Sequence, residues 1–153
     1  MDTVLVLCTG NLCRSPMAAA VLGRALPGLN VMSAGFRARP FEGADPLAIR
    51  LMRERGYDLG AHRTQLLSSW MVRAAHLVLV MEASQRRAVE SSYPGSRGKV
   101  FRLADTQGLD VPDPYGRGEA AFRQALQLIE AGAVSWIERL TRLTSKPMSK
   151  GVA

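Results

Sequence analysis

Apolar residues run without interruption through Val4-Leu5-Val6-Leu7 and again through Leu77-Val78-Leu79-Val80-Met81. Short, continuously apolar and β-branched runs of this kind predict strands buried on both faces. His76 to Met81 is the clearest of them. Leu29 to Ala34, closed by Gly35, predicts a further strand, and Lys99 to Leu103 predicts a fourth, shorter one. Between these runs the period changes. Ser15-Pro16 resembles an N-cap with proline in the first turn, Met17 to Leu26 is helix-permissive, and Pro27-Gly28 stops it. Asp45-Pro46 opens a second helix, with Leu47, Ala48, Leu51 and Met52 along one face and Gly56 at its end. Leu66 to Arg73 and Ser84 to Glu90 predict shorter helices. From Glu119 to Leu143, Phe122, Leu126, Ile129, Trp136, Ile137 and Leu140 recur at helical spacing, with Gly132 the one irregularity.

Strands alternating with helices imply an α/β fold, a parallel sheet covered by helices on both faces. The Rossmann-like reading is a single domain of four parallel strands over residues 1–143, followed by a polar, flexible C-terminal tail at 144–153. Ligands of such sheets bind beyond the carboxyl ends of the strands, near the topological switch point. Two loops draw attention there. One is Cys8 to Ser15, between the first strand and first helix; the other is Asp105 to Gly118, a Gly-, Pro- and Asp-rich connection of the length that usually serves a function.

Composition narrows the class. The chain has 153 residues, 47% of them hydrophobic, which suits one domain with a full core. No apolar run is long enough to cross a membrane, and Met1-Asp2-Thr3 lacks the basic start of a secretory signal. Only 2 cysteines are present, so no disulfide framework is expected and the default compartment is the reducing cytoplasm. The formal charge of +7 raises the question of nucleic acid. Its arginines, however, are scattered over predicted helices (Arg50, Arg53, Arg86, Arg139, Arg142) and form no block interleaved with aromatics. A basic surface favouring acidic partners is the simpler reading.

The chemistry-bearing string is Cys8-Thr9-Gly10-Asn11-Leu12-Cys13-Arg14-Ser15. A loop leaving a strand and entering a helix turns successive N–H groups inward, which makes a nest for an anion. Gly10 lets backbone approach a ligand closely, and Asn11 tolerates a left-handed conformation. Cys8 at the base would be stabilised as thiolate by those dipoles and by Arg14. Arg14 could grip two phosphate oxygens with its fork, and Ser15 could hydrogen-bond the departing thiolate. Cys8 alone reads as a small buried residue and Arg14 alone as a surface charge; their joint placement points to a phosphate site with a nucleophile. Attack on phosphorus also needs a general acid, and Asp113 in Asp113-Pro114-Tyr115 is the best placed, ahead of Asp110 and Asp105. Neither a nucleotide P-loop, a dinucleotide fingerprint nor a Cys-x-x-Cys redox motif is present. Cys8, Cys13, His62 and His76 lack the paired spacings of a zinc site.

These strings, together with Ser33-Ala34-Gly35, Ala44-Asp45-Pro46, His62-Arg63 and Val80-Met81-Glu82 in the same order, resemble the low-molecular-weight protein tyrosine phosphatases. The likeness is greatest to the bacterial members that accompany capsule and exopolysaccharide tyrosine kinases. The resemblance implies a metal- and cofactor-independent enzyme and a cysteinyl-phosphate intermediate. Cys8 would be the nucleophile, Arg14 the ligand of the equatorial oxygens, and Asp113 the acid and then the base. Thr9, Gly10, Asn11, Leu12, Cys13, Arg14 and Ser15 would bind the phosphate, while Asn11, Ser15, Ser33 and His62 would support the loop. Cys13 matches the second family cysteine, which can pair with the nucleophile and protect it from overoxidation. Expected partners are phosphotyrosine proteins, among them a bacterial tyrosine autokinase, acted on by a monomer.

Leu12 and Tyr115 match the walls of the slot for the phenyl ring. Protein-arginine phosphatases resemble this chain closely but carry threonine at the position of Leu12, so leucine favours phosphotyrosine. The chain departs from the family at the rim. Arg39 lies between Phe36 and Phe41 where a tryptophan is usual, Gly116 follows Tyr115 in place of a second aromatic, and Ala19 replaces a frequent glutamate. An arginine at the rim would favour acidic phosphopeptides. Arsenate reductase shares the loop but relays electrons through later cysteines, and none follows Cys13. A non-catalytic phosphate-binding relative is opposed by the presence of Cys8, Arg14 and Asp113 together.

Overall fold

The side chains of Val4, Leu5, Val6 and Leu7 have no exposure on either face of their strand, because helices cover both sides of the sheet it centres. Val4, Val6 and Cys8 point into one core layer, and Leu5 and Leu7 point into the other. Each such side chain contributes about 1.5–3 kcal/mol by leaving water. That double burial is why the strand reads as a continuous apolar run instead of an alternating one.

The computed structural model describes residues 2–145. In chain order the elements are β1 (Thr3–Cys8), α1 (Arg14–Ala25), β2 (Asn30–Gly35), α2 (Pro46–Glu54), α3 (Ser69–Ala74), β3 (Leu77–Val80), α4 (Ala83–Ser92), β4 (Val100–Arg102) and α5 (Glu119–Ser145). The sheet is parallel throughout, in the order β2-β1-β3-β4. From β1 the chain moves outward to β2 and later returns to the other side of β1 as β3. The switch point therefore lies beyond the carboxyl ends of β1 and β3, where Cys8 and Glu82 stand. Helices α1, α2 and α5 share one core with Leu77, Leu79 and Met81; the other core packs Val78, Val80 and Val100 against Met71, Val72 and Val89. Among the described residues no helix is long and apolar enough to cross a membrane.

Most expected elements are present, with instructive differences. Helix α1 begins at Arg14, with Cys13 in the capping position, and Ser15 does not cap it. The reason is that the Ser15 hydroxyl is engaged by Cys8 and Asn11. Pro16 then sits deeper in the first turn, where its missing N–H still deprives the helix of nothing. Leu66 lies outside α3 and bridges Gly35 in parallel, which extends the edge of β2. The α2 start is as the sequence implies: Asp45 accepts the Leu47 N–H at 2.9 Å with Pro46 at the first helical position. Helix α5 runs two residues past Leu143, to Ser145. The remainder of the expected tail, 146–153, lies outside the described residues.

Gly132 lies against the backbone that follows β4. A Cβ there would stand 2.6 Å from the Leu103 carbonyl oxygen and 2.9 Å from its carbon. Helix propensity alone would favour alanine by about 1 kcal/mol, but a clash with backbone typically costs about 1–3 kcal/mol. Gly132→Ala should therefore lower the urea midpoint at unchanged slope. An equal or higher midpoint would show that α5 slides to accommodate the methyl group.

Candidate active site

The loop from Thr9 to Cys13 turns on Asn11, which has φ 57° and is fully buried. That left-handed conformation disfavours residues with a Cβ, and asparagine is among the few that adopt it. Its amide is fixed by what surrounds it. The Gln65 N–H can only donate, so it reaches Asn11 Oδ1 (3.0 Å), which leaves Nδ2 to donate to Ser15 Oγ (2.8 Å) and Ser33 Oγ (3.0 Å). The Asn11 carbonyl can only accept, so His62 approaches it through Nε2–H at 2.8 Å. Asn11, Ser15, Ser33 and His62, which the resemblance groups as loop supports, are thus one hydrogen-bonded cluster. Gln65, which no sequence signal singled out, completes it.

This network also sets the direction of a proton. Ser15 Oγ accepts from Asn11, so its own hydrogen is available to Cys8 Sγ, 3.0 Å away. Cys8 is 2% exposed and ends β1. The loop is laid directly onto Gly35, where a Cβ would stand 2.7 Å from the Thr9 carbonyl oxygen and 2.9 Å from the Asn11 nitrogen. The Asp45 N–H holds the Leu12 carbonyl at 2.9 Å from the other side.

Arg14 is 1% exposed. Its Nη1 donates to Glu82 Oε2 (2.6 Å) and to the Val111 carbonyl (2.8 Å); its Nη2 donates to Thr9 Oγ1 (3.3 Å). Asp113 Oδ2 lies 3.7 Å from Nη2. The Nε–H is buried without a partner among the described residues. Thr9 Oγ1 also faces Gln85, whose side-chain carbonyl takes the N–H groups of Met81 and Glu82. A buried guanidinium is stable only when paired and hydrogen-bonded, and Glu82 supplies the charge. Sequence reasoning placed Glu82 in a matching string without a partner for it. Its signal was position, a carboxylate immediately after a buried strand at the switch point. The Val111 carbonyl, being backbone, left no signal at all.

The long loop brings Asp113 to the cleft and keeps its rivals away. Asp113 Oδ1 accepts the Tyr115 N–H at 3.1 Å, which turns Oδ2 toward Arg14. Asp110 Oδ1 takes the Ala83 N–H and Arg102 Nη1, each at 3.0 Å. Burial pushes the Asp110 carboxyl up, but those hydrogen bonds and the charges of Arg102 and Arg87 outweigh it and hold it below the usual range. It is an anion serving as a staple. Asp105 does not line the cleft.

The cleft encloses about 300 Å³ above Cys8 and Arg14. Leu12 and Tyr115 form walls, Asp113 stands at one side, and Arg37, Arg39 and Glu42 complete the lining. Arg37 and Glu42 went unnoticed in the sequence because exposed charges in a loop carry no pattern. Neither cysteine is in a disulfide. Burial, with the charges of Asp45, Cys8 and Asp113, raises the Cys13 thiol far above its ordinary value, so it stays protonated. His76 lies at the opposite, amino end of the sheet, paired with Asp2, which separates it from the cysteines.

A buried cysteine beneath a strand–loop–helix turn, with an arginine at the helix start, is the arrangement expected of a cysteine-dependent phosphatase. The sequence profile of the family "Low molecular weight phosphotyrosine protein phosphatase" matches residues 3–146. The "Probable low molecular weight protein-tyrosine-phosphatase EpsP" of Ralstonia nicotianae is 43% identical over 94% of this chain and 99% of that protein. Vibrio vulnificus Wzb in complex with benzylphosphonate superposes with a TM-score of 0.86 at 36% identity, covering 90% of this chain and 98% of that one. The YwlE arginine phosphatase from Geobacillus stearothermophilus gives 0.89 at 31% identity, covering 97% and 98%. The chain belongs to the low-molecular-weight protein-tyrosine phosphatases, and it is a phosphatase related to Wzb and EpsP.

His62 links this site to pH. Burial holds its pKa below the ordinary value of 6.5, its hydrogen bond to Asn11 opposes that, and Arg63 adds to the depression. The folded protein therefore resists a proton that the unfolded chain takes up. Stability should fall as pH drops below 6.5 toward the folded pKa. Urea unfolding at a series of pH values should show this loss in the wild type and a smaller one in His62→Gln. Equal losses would remove His62 as the cause.

Proposed function

We propose that the cleft hydrolyses phosphotyrosine in proteins, with Cys8 as nucleophile, Arg14 as phosphate ligand and Asp113 as proton carrier. The observation that carries this reading is Asp113 Oδ2 at 3.7 Å from a buried guanidinium whose Nε–H has no protein partner. A proton carrier and an unspent oxyanion donor meet at one point. The phosphoryl group would take the Arg14 Nε–H and the N–H groups of the loop through Ser15. Cys8 thiolate attacks phosphorus; the S–P bond forms as the P–O bond to the tyrosine breaks, and protonated Asp113 gives its proton to the leaving phenolate. Asp113 carboxylate then takes a proton from water as water's oxygen bonds to phosphorus. The S–P bond breaks, and the thiolate returns to the Ser15 hydroxyl. Oxyanion donors and a placed acid of this kind each supply about 10²–10⁴-fold in rate.

Two comparisons compete over the substrate. The likeness to an arginine phosphatase is as close in backbone as that to Wzb, so the fold does not discriminate. Leu12 does: a branched apolar wall beside Tyr115 suits a phenyl ring and crowds a guanidinium. Benzylphosphonate, held by the Vibrio relative, presents the same pairing of ring and phosphorus oxyanion. The likeness to EpsP and Wzb supports a physiological substrate among bacterial tyrosine kinases of polysaccharide export, or their targets. On this reading the enzyme is a cytoplasmic monomer whose catalytic domain is residues 1–143.

Cys8→Ser should abolish turnover of p-nitrophenyl phosphate, and Asp113→Ala should slow phosphoenzyme formation by about 10²-fold or more for poor leaving groups. A rate unchanged by the first substitution would end the covalent mechanism; rates unchanged by the second would pass the acid role elsewhere. For Leu12→Thr, the ratio of kcat/KM on phosphotyrosine against phosphoarginine peptides should fall at least tenfold, an expected range for one pocket group. A constant ratio would refute the role of that wall.

A further inference from the structure

The rim of the cleft is braced more firmly than an exposed loop requires. Thr64 is 2% exposed and commits its polar groups to residues 39–42. Its N–H donates to the Glu42 carbonyl (2.8 Å), its carbonyl accepts the Phe41 N–H (2.9 Å), and Oγ1 accepts the Glu42 N–H (2.9 Å) while donating to the Arg39 carbonyl. The turn this imposes holds Phe41 at φ 63°, a conformation that residues with a Cβ avoid, although the side chain is 83% exposed. Strain maintained in the backbone of an exposed segment is a mark of function. The segment is also continuous with the phosphate loop, because the Arg37 N–H donates to the Thr9 carbonyl at 2.9 Å.

This shelf presents Arg37 and Arg39 to the cleft, both exposed, and neither pairs with a carboxylate among the described residues. We propose that Arg37 and Arg39 read the residues flanking the phosphotyrosine and select for acidic side chains. The inference rests on the phosphatase reading above and names its substrate class: phosphotyrosine next to Asp or Glu. With the phosphate on Arg14 and the ring between Leu12 and Tyr115, the substrate backbone must leave across the rim. Neighbouring residues are about 3.8 Å apart along the chain, so carboxylates one or two positions from the tyrosine pass the guanidinium forks. Those forks suit carboxylates bidentately, and a braced backbone lowers the entropy lost on binding. Glu42, the one carboxylate on the same shelf, opposes an acidic flank and so provides a control of opposite sign.

The test compares kcat/KM for two phosphotyrosine peptides that differ only in Asp/Glu against Asn/Gln on either side. The wild type should prefer the acidic peptide about fivefold at low ionic strength, the range of exposed ion pairs, and the preference should shrink toward unity near ~0.5 M salt. R37Q/R39Q should bring the ratio close to unity, and E42Q should raise it. R53Q/R142Q removes the same charge from exposed helix positions that do not line the cleft and should retain the ratio. A wild-type ratio of unity, a ratio that survives R37Q/R39Q, or an equal loss in R53Q/R142Q would each overturn the proposal. The last outcome would assign the preference to the net charge of the whole molecule. p-Nitrophenyl phosphate separates the two readings, since it has no flanking residues. Wild-type protein inert toward it fails as a phosphatase; protein active on it with a peptide ratio of unity fails only in the rim.

Discussion

Everything at the phosphate loop depends on the buried amide of Asn11. One backbone residue sits in a left-handed conformation, and its side chain is the means by which that conformation is held. The Gln65 N–H fixes the amide orientation; the amide then orients Ser15 and Ser33, and His62 secures the carbonyl. Because Ser15 is turned into an acceptor on one side, it becomes a donor on the other, toward Cys8. The chain of cause therefore runs from a backbone N–H on a surface loop to the sulfur that would attack phosphorus. Each buried polar group in it left unsatisfied would cost about 1–3 kcal/mol, so the cluster holds together or loosens as a unit.

Arg14 poses the opposite problem, a full charge in the interior. Glu82 balances it, and the Val111 carbonyl fixes the second direction of Nη1. Those partners come from the end of β3 and from the long loop, and with Thr9 of the phosphate loop they tie three separate segments to one guanidinium. Val111 is in turn bound through its N–H to the Met81 carbonyl at 2.8 Å, and Asp110 is stapled to Ala83 and Arg102. The loop that carries Asp113 is thereby anchored two residues before the acid itself. Its position depends on the arginine with which it would share the substrate.

What could be read from the residues follows from how locally each feature is determined. The strands were legible because burial on both faces leaves continuous apolar runs, and α2 because Asp45-Pro46 is a complete start signal. The first turn of α1 was misread for an informative reason. Ser15 has the residue type of a cap, but a tertiary network claims its hydroxyl, and no local rule anticipates that. Leu66 deceived similarly, since its backbone pairs with Gly35 before the helix can begin. At the site, Cys8, Arg14 and Asp113 were visible through spacing and residue type. Glu82, Gln85, Gln65 and the Val111 carbonyl act through contacts distant in sequence and were not visible as partners. The resemblance drew Ser33 and His62 into the site; the residues alone would have left them as ordinary polar positions.

On the proposed reading, the molecule separates its chemistry from its discrimination by burial. The groups that hold the phosphate loop are nearly all satisfied by one another, so a substitution there disturbs several hydrogen bonds together. Arg37, Arg39 and Glu42 instead expose their side chains, and what is buried beneath them is the Thr64 bracing of their backbone. Side chains on such a shelf can change without moving the thiol or the guanidinium, because the backbone geometry is set from below. On the proposed reading, that arrangement lets the rim side chain of Arg39 differ while the phosphate loop behind it is held. The same physics assigns Leu12 an intermediate place. Its carbonyl is part of the braced loop and its side chain is part of the wall, so on the proposed reading the geometry of catalysis and the choice of substrate meet at this one position.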